Sequence, residues 1–249
     1  MKKLYQKNEV LFAIILIVIY VVGTSVAEEL STGLGINKII SAVFHLIFAT
    51  VVLVWIVKNG YAEKYGLSFP KYNLSKVWFF VPLLVVACSG LAFGFKCQYN
   101  LLESVLYVIS MICVGFLEEI IFRGFLFVGM AKTNIKSAII VSSITFGIGH
   151  IVNLLNGQDI VETLVQIVFA VAVGFVLVIL FYRGKSLLPC IIFHAVNNSL
   201  SAFEKTNEEV VENLPLSVGQ FEILFVSGLI VLMAVYAFVL VKKFNVSRE

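Results

Sequence analysis

The sequence predicts an all-α, polytopic membrane protein with about eight transmembrane helices, and three observations support this fold. The chain of 249 residues is 60% hydrophobic and 13% charged, and its mean hydropathy is +1.02, whereas soluble domains are roughly 45–50% apolar and about 25% charged. The apolar residues gather in long runs, and a spanning helix needs about 20 of them. The basic residues are distributed unevenly between the loops. This composition excludes a soluble secreted enzyme and a disordered chain, and a net charge of +3 gives no sign of a nucleic-acid partner.

Eight apolar runs are predicted to be helices, because in lipid a helix satisfies its own backbone hydrogen bonds. They are 10–27, 39–57, 77–95, 102–128, 138–155, 162–181, 186–203 and 221–241. No repeat or long linker divides the chain, so residues 1–249 are expected to form a single membrane domain, with its motifs at about 104–200. The first run also resembles a secretory signal peptide that ends at Ser25-Val26-Ala27. Its length of about 18 residues exceeds that of a usual signal-peptide core, so we expect it to be retained.

The charges of the loops predict the orientation. With eight spans and a cytoplasmic N-terminus, all but three of the 18 Lys and Arg residues lie on the cytoplasmic side. The exceptions are Lys38, Lys96 and Lys205, and one outer loop carries several glutamates, from Glu204 to Glu212. Because loops rich in Lys and Arg stay in the cytoplasm, both termini are predicted to be cytoplasmic.

Ionisable residues within the apolar runs are the candidates for function, since each costs on the order of several kcal/mol in lipid. The set is His45, Glu118, Glu119, Arg123, His150 and His194. We interpret His45 as a hydrogen-bonded core residue. At about 1.5 Å of rise per residue, Glu118, His150 and His194 fall roughly 12–20 Å from the cytoplasmic ends of their helices. Three polar groups on three helices are therefore expected at a similar depth.

The spacing of these residues assigns partners within each helix. Glu119 and Arg123 are four residues apart, the spacing of an ion pair on one helix face. Adjacent helical residues point about 100° apart, so Glu118 is expected to face a different direction from Glu119 and to be free for function. His194 and Asn198 are also four residues apart, and we expect both to present hydrogen-bonding groups to the same point.

Most mechanisms of intramembrane proteolysis find no support in the sequence. Asp159 is the only aspartate, which excludes an aspartyl pair, and the zinc motif HExxH is absent. Ser142 and Ser143 lack the surroundings of a serine nucleophile. A nucleophilic Cys190, four residues before His194, is a weaker alternative.

What remains is water activated by a glutamate and a histidine. A carboxylate in an apolar site suits the role of general base, and a histidine with an asparagine would bind the developing oxyanion. We predict no metal cofactor. Zinc held by Glu118, His150 and His194 also fits the ligand types, so spacing alone leaves that alternative open.

Three stretches resemble the motifs EExxxR, FxxxH and HxxxN of the CAAX protease and bacteriocin-processing (CPBP) family, also called the Abi family of glutamate intramembrane proteases. They are carried in order by Glu118-Glu119 with Arg123, Phe146 with His150, and His194 with Asn198. The resemblance covers roughly residues 104–200. It implies that Glu119, Arg123 and Phe146 give structural support to the site.

The resemblance also implies an activity, that of an intramembrane endopeptidase. Glu118 would take a proton from a water molecule that His150 positions. His194 and Asn198 would form the oxyanion site. The partners implied are the lipid bilayer and a peptide or small-protein substrate, since eukaryotic members cleave prenylated CAAX peptides and bacterial members are linked to bacteriocin and pheromone maturation.

A bacterial plasma membrane is the expected location, with the active site open toward the cytoplasm. The alternative function is a non-catalytic immunity or regulatory partner that retains the motifs for folding. A transporter is less favoured, because the sequence has no inverted repeat or paired broken helices.

Overall fold

The structure is a computed structural model that describes residues 1–69 and 74–244, without the side chains of residues 74, 75 and 77. Apart from one isolated bridge between Phe95 and Glu204, the regular elements in these ranges are helical. The α-helices are α1 (Lys2–Lys7), α2 (Glu9–Gly33), α3 (Ile39–Lys58), α4 (Val81–Ala87), α5 (Leu101–Glu118), α6 (Val128–Ala131), α7 (Ile135–Ile148), α8 (Val152–Leu155), α9 (Ile160–Gly184), α10 (Leu188–Leu200), α11 (Asn207–Val211) and α12 (Val218–Lys243).

Six helical segments among the described residues are long and apolar enough to cross a membrane. They are Glu9–Gly33, Ile39–Lys58, Leu101–Ala131, Ile135–Leu155, Ile160–Gly184 and Val218–Lys243. Large apolar side chains face outward from them, as at Ile19, Ile47 and Phe238. The prediction of an all-α polytopic membrane protein is confirmed. The count of eight spans and the cytoplasmic termini stay predictions, and Lys71 and Arg248, two of the basic residues used for orientation, lie outside the described residues.

The predicted helix at 77–95 is wrong as a single continuous element. The structure has a 3-10 segment at Leu74–Phe80, then α4, then a second 3-10 segment at Gly90–Phe93. Pro82 occupies the first turn of α4, where its missing N–H costs nothing, whereas a proline inside a longer helix would break it. α10 is likewise shorter than its predicted run, with 13 residues and a proline in its first turn.

Polar side chains cap the N-termini of most of the long helices, whereas α3 begins after Lys38 without a side-chain cap. Each capping side chain accepts a hydrogen bond from a backbone N–H of the first turn, which otherwise has no partner. These capping residues are Asn8 for α2, Asn100 for α5, Asn134 for α7, Asp159 for α9 and Ser217 for α12.

The helix that carries the first motif is interrupted. α5 ends at Glu118 and continues as a π-helix over Glu119–Phe127, in which every residue is buried. A π-helical turn inside an α-helix is rare and often occurs at a functional site.

Two glycines allow close packing between the helices that surround the π-helix. A Cβ on Gly115 would lie 2.6 Å from the backbone N of Ala195, and one on Gly147 would lie 2.9 Å from the carbonyl O of Ile167. Small residues of this kind let membrane helices pack closely. α5 therefore packs directly on α10 and α7 on α9, while α2 and α7 both contact the π-helix.

Candidate active site

The residues predicted from the three motifs lie on three stretches of the chain that meet at the π-helix. Glu118 is the last residue of α5 and Glu119 is the first residue of the π-helix. His194 lies on α10. His150 lies in the 3-10 turn Gly149–Ile151, which directly follows α7.

One histidine ring joins the two glutamates. The Nδ1 atom of His194 lies 2.9 Å from Oε1 of Glu119, and its Nε2 atom lies 3.3 Å from Oε2 of Glu118. Glu118 and Glu119 were expected to face different directions, and of the two only Glu118 lines the cavity described below. The two carboxylates do diverge, but the nitrogens on opposite edges of one imidazole ring reach both of them.

One of these contacts constrains where a proton lies. An ionised carboxylate only accepts hydrogen bonds, so the Nδ1 atom that faces Glu119 carries a proton. Nε2 lies 3.3 Å from Oε2 of Glu118, an oxygen that has no hydrogen-bond partner among the described residues, so this contact fixes no proton.

The Glu119–Arg123 ion pair lies wholly inside the protein. Nη1 of Arg123 donates to Oε1 of Glu119 over 3.0 Å, and both side chains have no exposed surface. The guanidinium carbon lies 4.0 Å from the ring centroid of Phe146, which adds a cation–π contact. The ion pair fixes the Glu119 carboxylate in the position where its Oε1 atom also contacts Nδ1 of His194.

Phe146 packs at the centre of the motif residues. Its ring makes edge-to-face contacts with His150 at 5.4 Å and with His194 at 5.7 Å between centroids. With Arg123 over its face, this buried ring separates the two histidines and restrains both of them.

A cavity of about 80 Å³ lies beside Glu118, with room for more than one water molecule. Glu118 lines it from α5. His150 and Asn153 line it from the chain that follows α7, and Tyr20 and Thr24 line it from α2. Two of the predicted catalytic residues, Glu118 and His150, thus face one space.

The orientation of His150 follows from its own backbone contact. Nδ1 lies 3.2 Å from the carbonyl O of Phe146. Since a carbonyl only accepts hydrogen bonds, Nδ1 carries the proton, and in the neutral ring Nε2 is then the acceptor. A water molecule in the cavity can donate to that nitrogen.

Asn198 was expected to present its amide to the same point as His194, but its side chain contacts the neighbouring Asn197. Its Oδ1 accepts a hydrogen bond from Nδ2 of Asn197 at 3.1 Å. In the described part of the chain, neither Asn198 nor His194 lines the cavity. The structure therefore brings Glu118, Glu119 and His194 into contact, while Asn198 contacts a neighbouring amide.

The alternative nucleophiles occupy structural positions. Cys190 is fully buried, and its Sγ atom is directed at the carbonyl of Leu177. Both nitrogens of His194 face glutamates, so His194 is not placed to act as the base for this thiol. Ser142 and Ser143 donate to backbone carbonyls. Among the described residues, no group of three His, Cys, Asp or Glu side chains is arranged to hold a metal ion.

Sequence reasoning missed Tyr20. Its hydroxyl donates a hydrogen bond of 2.6 Å to Oε1 of Glu118. A search for charged residues in apolar runs passes over tyrosine, and the first span has no motif. The available signal was the spacing of Tyr20 and Thr24, two polar groups one helical turn apart on α2.

The fold and the site together define a class of protein: a multi-pass helical membrane protein with a buried glutamate and histidine and a second, partly exposed glutamate beside a cavity. Residues 99–200 carry a domain that matches the family model described as Rce1-like, type II CAAX prenyl endopeptidase. The match confirms the resemblance drawn from the motifs, all of which lie within that range. It covers less than half of the chain and leaves α2, α3 and α12 outside. No curated protein and no solved structure matches the chain.

Proposed function

We propose that this protein is an intramembrane endopeptidase that uses water to hydrolyse a peptide bond in a membrane-associated peptide, or in the leader or C-terminal segment of a small protein. The observation that carries the proposal is the contact of His194 with both glutamates, beside a cavity that Glu118 shares with His150. The protease family matched by residues 99–200 supports the same reaction class.

In the proposed reaction, Glu118 removes one proton from a water molecule in the cavity, while Nε2 of His150 accepts a hydrogen bond from the remaining O–H of that water. The water oxygen bonds to the carbonyl carbon, and the carbonyl oxygen becomes an oxyanion. We assign the stabilisation of that charge to the motif residues His194 and Asn198. Since neither lines the cavity, the substrate carbonyl would have to lie between the cavity and α10. Such stabilisation is worth about 3 kcal/mol in comparable sites. The C–N bond then breaks, and Glu118 returns its proton to the leaving amine.

The remaining parts of the proposal concern the substrate and the location. The uneven distribution of Lys and Arg supports a site that opens toward the cytoplasm of a bacterial plasma membrane. A bacteriocin or pheromone precursor is the proposed substrate class there.

Replacement of Glu118 by Gln tests the mechanism, because the amide keeps the shape but cannot accept the proton. We expect cleavage to be lost while the protein accumulates normally in the membrane. The matched control is Glu103→Gln, in the first turn of the same helix, where the carboxylate bonds to Asn37 and Asn100 instead.

The assay uses protein in liposomes with a panel of two probe types, a prenylated CAAX peptide and unprenylated apolar leader peptides, read by mass spectrometry. Wild-type activity in Glu118→Gln would overturn the mechanism. A wild-type protein that cleaves neither probe type, yet confers immunity when expressed in a sensitive cell, would favour the non-catalytic alternative.

A further inference from the structure

We propose that Tyr20, on the first membrane helix, is a positioning residue for the Glu118 base. The inference rests on the proposed function, because it assigns to Tyr20 a part in the same reaction. It extends the site beyond residues 99–200, since Tyr20 lies outside the matched domain and on a helix that carries none of the three motifs.

The hydrogen bond is the first reason. The hydroxyl of Tyr20 donates to Oε1 of Glu118 over 2.6 Å, the length expected of a bond between a hydroxyl and a charged carboxylate. Oε2 of the same carboxylate faces Nε2 of His194. That approach is not a hydrogen bond, since Oε2 has no hydrogen-bond partner among the described residues. The hydroxyl of Tyr20 is therefore the donor that sets the rotation of this carboxylate.

The second reason is where Tyr20 lies. Its side chain is buried, and it lines the same cavity as Glu118 and His150. Loss of its hydroxyl would leave a carboxylate oxygen at the cavity wall without this donor. That oxygen could then turn toward water in the cavity, and the base would lose its single orientation.

A second set of hydrogen bonds holds α2, the helix that carries Tyr20, in place. Thr24, one turn further along α2, contacts Nε2 of His45 at 3.0 Å, and Nδ1 of His45 contacts Ser110 of α5 at 2.8 Å. The ring of Tyr20 lies 6.0 Å from the ring of His45. α2 is therefore attached to α5 through α3, and α5 is the helix that ends at Glu118. This is the type of support that keeps a catalytic group in one orientation.

The replacement Tyr20→Phe separates positioning from packing, because phenylalanine fills the ring volume and removes the donor. We expect kcat to fall roughly 10- to 100-fold, the range of a lost hydrogen bond to a charged group, with KM changed by less than about twofold. Unfolding in detergent should remain close to wild type. Tyr107→Phe is the matched control, since that hydroxyl bonds to Ser201 away from the cavity, and its kcat should be unchanged.

A second variant guards against poor folding of Tyr20→Phe. Incorporation of 4-fluorophenylalanine at position 20 replaces the hydroxyl with a group of similar size that cannot donate a hydrogen bond, and the same loss of kcat is expected.

The inference is overturned if both variants keep wild-type kcat while Glu118→Gln is inactive. It is also overturned if activity falls through KM or stability alone, since a packing role would do that. Wild-type activity in Glu118→Gln is a different result, because it contradicts the proposed mechanism itself.

Discussion

Replacement of Glu119 by Ala leaves two buried donors without their acceptor. Glu119 contacts Nη1 of Arg123 at 3.0 Å and Nδ1 of His194 at 2.9 Å, through the same oxygen. Arg123 has no exposed surface, so water cannot replace the lost carboxylate at the guanidinium. The structure thus predicts two separate defects from one substitution: a stranded charge and a histidine without its anchor.

The first defect is the larger in free energy. Removal of one partner of a buried ion pair costs about 3–5 kcal/mol, and an unsatisfied buried donor costs about 1–3 kcal/mol. Folded domains are stable by only about 5–15 kcal/mol. Glu119→Ala should therefore lower the yield and the unfolding temperature markedly. Arg123→Leu in the same chain removes the stranded charge and should recover most of the about 3–5 kcal/mol.

The second defect should persist in the double variant, because nothing replaces the anchor at Nδ1 of His194. Glu119→Ala/Arg123→Leu should accumulate well and unfold near the wild-type temperature, yet cleave slowly. Size-exclusion chromatography on heated detergent samples measures the first property, and peptide cleavage measures the second.

Two outcomes would refute this reasoning. If Glu119→Ala alone folds normally and is inactive, the roles of the two carboxylates have been assigned the wrong way round. If the double variant regains full cleavage, the orientation of His194 does not depend on Glu119.

Three further predictions concern metal, the cavity and topology. Chelators should leave cleavage largely intact; stoichiometric zinc that is lost together with activity would contradict this. Gly149 lines the cavity, and a Cβ there meets nothing within 4 Å. Gly149→Leu should therefore fold normally and slow cleavage, because the leucine side chain would occupy part of the cavity. Equal cleavage rates in Gly149→Leu and in the wild-type protein would contradict this. After replacement of the two exposed cysteines, Cys88 and Cys97, a cysteine at the exposed Ser137 should react with an impermeant reagent in inside-out vesicles only, and one at Glu208 in intact cells; the reverse pattern would invert the topology.

The class of fold and the identity of the charged candidates followed from local properties of the sequence. Helices α9 and α12 were predictable because uninterrupted apolar runs of spanning length have no stable state in lipid other than a helix. The i,i+4 pair of Glu119 and Arg123 was predictable because their spacing places them on neighbouring turns. The break at 77–95 had local signals in Pro82 and Gly90, but hydropathy outweighed them in the prediction.

The arrangement of the site was decided by tertiary structure. The hydrogen bond from Tyr20 to Glu118 joins residues 98 positions apart, and the bond from His194 to Glu119 joins residues 75 positions apart. No periodicity within a helix encodes such contacts, because they depend on how closely neighbouring helices approach. That approach is set by positions such as Gly115, where Ala195 takes the space of a side chain. The sequence alone therefore determined which polar groups lie in the apolar runs, and the packing of the helices determined which of them are hydrogen-bonded to one another.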